Sequence, residues 1–341
     1  MNTNFSSNSF PSLFADFLSP VFISDWKNEL FEQKNINVKI LRLDAEHKHI
    51  GGNKLYKLYY NLAEVQKQNK NKLLTFGGAY SNHLRATAFA AKALGIESIA
   101  IIRGEEHQNL NPVLTFCKEQ NMQLHYISRS EYREKNNVFF IEKLKAQFGD
   151  FFLVPEGGSN ALAIKGTSHI PKIAFDLLKN NIVGVASLKH QQWQKKGLLN
   201  NKIDYFALAI GTGGTAAGVL NGIQEIENKT KTKVLAVSAL KGGEFLKDDI
   251  EKLLNDFYND ESTKTKNTLE NLILETNFHE GGYAKKSERL MNFITDFNQK
   301  NDFQIEPIYT GKAFFAIYNL AETNFFEEGS TIVLIHTGGV F

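Results

Sequence analysis

The stretch Tyr205-Phe-Ala-Leu-Ala-Ile-Gly-Thr-Gly-Gly-Thr-Ala-Ala-Gly-Val-Leu-Asn-Gly-Ile-Gln-Glu-Ile226 decides the fold. A short apolar run, Tyr205 to Ile210, enters a glycine/threonine loop, Gly211-Thr-Gly-Gly-Thr215, and then a helix-compatible run from Ala216 to Ile226. A strand that passes through a glycine loop into a helix is the repeating unit of a parallel sheet, because parallel neighbours need a crossover. The same unit makes an anion site. Free backbone N–H groups and the positive end of the helix dipole point at one spot, and Thr212 and Thr215 add hydroxyl donors.

Outward from this unit the alternation repeats through most of the chain. Strands are predicted over Val38 to Leu43, Lys72 to Phe76, Ser98 to Ile102, Gln123 to Ile127, Phe151 to Val154, Tyr205 to Ile210, Lys233 to Ser238 and Thr331 to His336. Between them, Leu55, Leu58, Leu62 and Val65, and likewise Leu84, Thr87, Ala88 and Ala91, recur at helical spacing and give each helix one stripe to bury. The class is α/β. Paired glycines at 77–78, 157–158, 213–214, 242–243 and 338–339 follow predicted strands, where open α/β sheets bind ligands, so several of these loops are expected to meet at one site.

The loop at 211–215 lacks the Lys-Ser/Thr pair of a P-loop, which argues against a nucleotide triphosphatase. Gly211-x-Gly213-x-x-Ala216 satisfies the loose dinucleotide fingerprint, but the next apolar run, Val234 to Leu240, is followed by Lys241 and has no carboxylate at its end for a ribose. A phosphate monoester fits better than a dinucleotide.

At 341 residues the chain exceeds what one core usually serves, so two lobes with a cleft are expected. A formal charge of +2 is too small to draw in nucleic acid, and the lysines from Lys67 to Lys72 read as a solvated face. Cys117 is the only cysteine, which precludes an intrachain disulfide and fits a reducing compartment. Met1 to Phe14 lacks the pattern of a secretory leader, and no apolar run approaches the roughly 18 residues of a membrane span. The expectation is a cytoplasmic, membrane-free protein.

His49-Ile-Gly-Gly-Asn-Lys-Leu-Tyr-Lys57 sets Lys54 at the start of an amphipathic helix, where the dipole lowers its pKa and favours a neutral amine for Schiff-base chemistry. Ser81 and Asn82 follow a predicted strand through Gly77-Gly78 and open a helix, a place suited to a substrate carboxylate and equally to a helix cap.

Together Gly51-Gly-Asn-Lys-Leu-Tyr-Lys57, Phe76-Gly-Gly-Ala-Tyr-Ser-Asn-His83, Gly211-Thr-Gly-Gly-Thr215, Pro307-Ile-Tyr-Thr-Gly-Lys312 and His336-Thr-Gly-Gly339 resemble the D-cysteine desulfhydrase and 1-aminocyclopropane-1-carboxylate (ACC) deaminase family. The resemblance runs from about Asn37 to the end of the chain. It implies the tryptophan-synthase-β-like fold type II of pyridoxal 5′-phosphate (PLP) enzymes: two open, twisted, mostly parallel sheets flanked by helices. A large domain would comprise 1–57 and 162–341, and a small inserted α/β domain 58–161. Lys54 would hold the cofactor covalently, Asn82 its phenolic oxygen, and Gly211, Thr212, Gly213, Gly214 and Thr215 its phosphate. Asn53, Thr310 and Thr337 complete the implied cofactor shell, with Thr310 facing the pyridine nitrogen. Ser81, Tyr283 and Tyr309 would serve the substrate, whereas His83, Lys312 and His336 read as structural.

The implied activity is β-elimination from D-cysteine or a similar β-substituted amino acid, giving pyruvate, ammonia and sulfide, by a homodimer. ACC deamination to 2-oxobutyrate and ammonia is the alternative, a non-catalytic PLP-binding protein the reading from another class, and a nicotinamide dehydrogenase a distant third. Three departures stand out. Tyr56 replaces a frequent Arg, the stretch Ile170 to Lys202 is longer than expected and reads as an insertion or flap, and the tail that commonly follows Gly339 is not expected.

Overall fold

A computed structural model describes residues 19–106, 108–179, 202–226 and 231–339. Along the chain the first half comprises β1 (Ile23–Asp25), α1 (Glu29–Gln33), β2 (Asn37–Leu41), α2 (Asn53–Lys67), β3 (Lys72–Gly78), α3 (Asn82–Ala93), β4 (Glu97–Arg103), α4 (Pro112–Glu119), β5 (Gln123–Ile127), α5 (Arg129–Arg133), α6 (Val138–Phe148) and β6 (Phe152–Val154). Then follow α7 (Ala161–Thr167), α8 (His169–Lys179), β7 (Tyr205–Ile210), α9 (Gly214–Ile226), β8 (Lys233–Ser238), α10 (Leu246–Phe257), α11 (Ser262–Leu269), β9 (Leu272–Glu275), α12 (Glu288–Lys300), α13 (Thr310–Glu322) and β10 (Thr331–Ile335).

The strands form two sheets, one of six in the order β1-β2-β10-β7-β8-β9 and one of four in the order β5-β4-β3-β6. Every pairing is parallel except β1 with β2, where the three-residue strand Ile23–Asp25 closes one edge antiparallel. Past their first residue, β7, β8 and β10 are buried throughout, as a parallel sheet covered on both faces requires. The small sheet lies wholly within 72–154.

Local chemistry explains how helices return to strands. Asn35, Asn69, Asn121 and Asn324 each take a left-handed φ of 49° to 63° just after α1, α2, α4 and α13. Asparagine tolerates that conformation, which stops a helix and turns the chain toward the next strand. One core cluster joins the two sheets: Leu73 and Val154 of the small sheet belong with Leu41, Phe206 and Val333 of the large one, bridged by Leu55, Leu58 and Leu62 of α2. The helix that begins at Asn53 is therefore anchored to both sheets, and its first turn is fixed between them.

Two expectations need correction. The predicted strand from Val38 to Leu43 stops at Leu41, because Leu43 opens a short 3₁₀ turn to Glu46. Strands β1 and β9 were not predicted. Of the stretch from Ile170 to Lys202, Ile170 to Lys179 is helix, and 180–201, with the run Lys189 to Trp193, lies outside the described residues.

Candidate active site

Lys54 sits in the first turn of α2, and the two glycines before it are sterically required. A Cβ on Gly51 would stand 2.3 Å from the His47 carbonyl oxygen, and one on Gly52, whose φ is +87°, 2.2 Å from that of Thr337. This close approach lets the Asn53 N–H donate to the Thr337 carbonyl at 3.2 Å. The Asn53 side chain then works in both directions: Oδ1 accepts from Lys54 Nζ at 2.8 Å, and Nδ2 donates to Thr215 Oγ1 at 2.9 Å. The amine is thereby tied to the glycine/threonine loop. Burial lowers the Lys54 pKa to about 8, against the opposing pull of the Glu306 charge, so an appreciable fraction is neutral amine near physiological pH.

The loop itself is a cradle with no room for side chains. A Cβ on Gly214 would lie 2.6 Å from Ser159 Oγ and 3.0 Å from Lys57 Nζ; one on Gly211 would lie 3.0 Å from Tyr309 Cε1. Gly213 has φ +72°. At the start of α9 the Gly214 N–H donates to the Thr212 carbonyl at 2.9 Å and that of Ala217 to the Gly213 carbonyl at 2.9 Å, which leaves the Thr215 and Ala216 N–H groups for a ligand. Beside them Lys57 is buried and donates to the Gly157 carbonyl and to Ser159 Oγ, both at 2.8 Å, and Ser159 Oγ lies 2.7 Å from Thr212 Oγ1. Burial and the nearby Lys54 charge hold the Lys57 ammonium well below its ordinary pKa, and none of its hydrogen-bond partners is a carboxylate. Free N–H groups, hydroxyls and a buried amine that a bound dianion would hold as ammonium fit a phosphate monoester. Sequence reasoning gave Lys57 and Ser159 no role. The available signal was the three-residue spacing of Lys54 and Lys57, which puts both on one helix face.

The facing wall comes from α3, α13 and the segment before α12. Ser81 caps α3, accepting from the Leu84 N–H at 3.4 Å, and its own N–H donates to the Gly78 carbonyl at 3.0 Å. Asn82 Nδ2 lies 2.5 Å from where a Gly339 Cβ would stand, and Glu306 Cγ lies 3.5 Å from the same point. The rings of Tyr283 and Tyr309 meet edge to face with centroids 6.0 Å apart. Burial raises both phenols, Tyr309 well above its ordinary value, so both stay protonated and can donate. Thr310 is buried in the first turn of α13, where its hydroxyl meets Glu306.

The structure thus brings Lys54, Asn53, Thr215 and Thr337 into one hydrogen-bonded group. It sets Gly211 against Tyr309, and Asn82 against the loop at Gly339. Four of the five glycine pairs line this region; Gly242–Gly243 does not, because Gly243 packs with its Cβ position 2.1 Å from Ser238 Oγ. His83 is buried and bonded to Thr75 Oγ1 at 2.7 Å, a scaffold role.

Residues 28–338 match the family described as Pyridoxal-phosphate dependent enzyme. The bifunctional D-cysteine desulfhydrase/1-aminocyclopropane-1-carboxylate deaminase, mitochondrial, of Arabidopsis thaliana is 27% identical over 311 residues, covering 88% of this chain and 72% of its own. The D-cysteine desulfhydrase of Serratia proteamaculans is 26% identical over 309 residues, covering 89% and 86%. Among solved structures, an ACC deaminase homologue superposes with a TM-score of 0.74 at 23% identity over 96% of this chain and 94% of that one, a likeness of fold.

Proposed function

The chain belongs to the pyridoxal-phosphate dependent enzyme family, and from that premise we propose that it deaminates a small amino acid, by β-elimination from D-cysteine or a similar β-substituted substrate. The observation that carries this reading is the continuous path Lys54 Nζ–Asn53–Thr215, which ties a lysine of lowered pKa to a phosphate-shaped loop.

Gly211 to Thr215 and the buried ammonium of Lys57 would hold the cofactor phosphate, with Asn82 and Thr310 placed toward its ring. Bound there, PLP withdraws electrons from the α-carbon of an amino acid. Lys54 Nζ, neutral in part near pH 8, would hold the cofactor and would be placed to take a proton from that carbon. Ser81 and the first N–H groups of α3 receive the substrate carboxylate at the positive end of the helix. Tyr283 and Tyr309, both protonated, close the wall and donate to groups on the substrate. With cysteine the balance is one water consumed and pyruvate, ammonia and hydrogen sulfide released.

No described helix is long and apolar enough to cross a membrane. A cytoplasmic homodimer belongs to the same proposal, as does a division into a large domain of 1–57 and 162–341 and a small one of 58–161; the placement of β3 to β6 within 72–154 supports the division.

The test is a panel of D- and L-amino acids and ACC, assayed for pyruvate, 2-oxobutyrate and ammonia with cofactor-loaded protein. Wild type should release pyruvate from D-cysteine and the Lys54→Ala variant none. Cofactor bound without turnover of any amino acid would replace this reading with a binding protein, and 2-oxobutyrate from ACC as the main product would replace it with ring opening.

A further inference from the structure

Arg103 ends β4 beside the end of β3, where the chain passes through Gly77–Gly78 to Ser81. Its Nη2 stands 3.6 Å from where a Gly78 Cβ would be, and the Tyr283 hydroxyl stands 3.9 Å from the same point. The guanidinium carbon lies 5.9 Å from the ring centroid of Tyr283 and 5.7 Å from that of Tyr132. Arg103 is thus held between two aromatic rings at the carboxyl edge of the small sheet, above the bare face of a glycine.

Among the described residues it makes no ion pair and no side-chain hydrogen bond, and it is open to solvent. Candidate anions are engaged elsewhere. Glu156 pairs with Lys135 at 3.4 Å, and Glu306 accepts from Thr310 and from the N–H groups around it. Glu105 and Glu106 follow in sequence but form no ion pair with Arg103. A planar fork of N–H donors, positioned by two rings and left without an acceptor, is matched to a bidentate anion.

We infer that Arg103 selects substrates whose β-substituent carries a negative charge, by pairing with that charge while the α-carboxylate occupies the N-terminus of α3. This deepens, and rests on, the reading of the cleft as a PLP-dependent amino-acid site. The class is a β-substituted amino acid bearing a carboxylate, sulfonate or phosphate on its side chain. Because Arg103 is open to water, the preference weakens as salt rises.

The experiment compares wild type, Arg103→Met and Arg103→Lys, each loaded with cofactor. Calorimetric titration uses two non-reactive probes, succinate with two carboxylates and butyrate with one. Turnover uses O-phosphoserine against O-acetylserine, in both hands. Expected is tighter binding of succinate than butyrate by wild type, loss of that difference in Arg103→Met, and a fall of about tenfold or more in kcat/KM for O-phosphoserine. O-Acetylserine should change less than about twofold, and Arg103→Lys should keep part of the preference. Equal binding of the two probes by wild type, or an equal fall for both substrates, overturns the inference. Failure of the underlying reading looks different: no cofactor absorbance band is retained by wild type and no amino acid is turned over.

Discussion

Thr310 Oγ1 lies 3.2 Å from Glu306 Oε1 and donates to it, while accepting the backbone N–H of Glu306 at 3.1 Å. From sequence, residue 310 reads as a neutral hydroxyl beside the cofactor nitrogen. In the fold that hydroxyl has already committed its proton to a buried carboxyl, which also accepts from the N–H groups of Ile308, Tyr309 and Thr310. Burial raises the Glu306 pKa and these donors pull it back. Thr310 therefore offers a lone pair rather than a proton toward the site, with a carboxyl one bond behind it.

A hydroxyl backed by a carboxyl assists an electron sink less than a carboxylate in direct contact, so a good leaving group still has the advantage over an unactivated ring. Turnover of D-cysteine is expected to exceed that of ACC by at least about tenfold, or roughly 1.4 kcal/mol of barrier. Glu306→Gln should slow both reactions, because the acceptor behind Thr310 loses its charge. Parallel assays of sulfide, pyruvate and 2-oxobutyrate decide it. ACC consumed as fast as D-cysteine would sink the argument.

Gly214→Val is expected to abolish cofactor retention on dialysis, since its side chain would fall within 3.0 Å of both Ser159 Oγ and Lys57 Nζ. Lys57→Met keeps the cradle but removes the ammonium, and should weaken retention about tenfold or more while leaving the protein folded. Retention by both variants at the wild-type level would mean that phosphate binds elsewhere.

Eight of the ten strands among the described residues were legible because each is an apolar run set between glycine or polar turn residues. Ile23–Asp25 and Leu272–Glu275 escaped for different reasons. The first is three residues long and exists only by pairing with β2; the second is a half-buried edge whose sole neighbour is β8. Lys54 and the phosphate loop were legible because their chemistry is local. Lys57 was not, since its meaning comes from Gly157 and Ser159, about a hundred residues away in sequence. Arg103 acquires a setting only when β4 lies beside β3 and Tyr283 closes over Gly78.

Lys312 is buried and donates to the carbonyls of Ala239 at 3.1 Å and Gly282 at 2.7 Å, so α13 holds the backbone next to Tyr283. Lys312→Met would leave Ala239 O without that donor and Gly282 O with only the Lys285 N–H. The cost is about 1–3 kcal/mol for a buried acceptor left unpaired. Faster hydrogen exchange at Gly282 and Tyr283 and a KM raised severalfold more than kcat changes are expected. Unchanged exchange there would show that Lys312 does not hold Tyr283.

The buried contact between Tyr56 and Glu46 makes stability depend on pH. Tyr56 OH donates to Glu46 Oε1 at 3.2 Å, and Glu46 Oε2 has no hydrogen-bond partner. A phenol cannot neutralise a carboxylate as a guanidinium would, and burial drives the Glu46 pKa up to about 8, with the Tyr56 hydrogen bond only partly opposing it. Relative to an unfolded value near 4.5, the folded chain binds the extra proton, so this contribution to stability is fully present below about pH 4.5 and is lost as pH rises toward about 8. The slope from one such group is at most about 1.4 kcal/mol per pH unit. Buried histidines such as His83, whose pKa burial and the Lys54 and Lys57 charges lower, contribute with the opposite sign. The informative quantity is therefore the difference between wild type and Glu46→Gln, not either curve alone. Thermal midpoints measured from pH 5 to 9 should show the variant gaining on wild type up to about pH 8 and running parallel above it. Tyr56→Arg should flatten the wild-type slope by giving Glu46 a cation. Parallel midpoints across the whole range would mean that Glu46 is ionised in the folded chain throughout, and the assignment of its proton would be wrong.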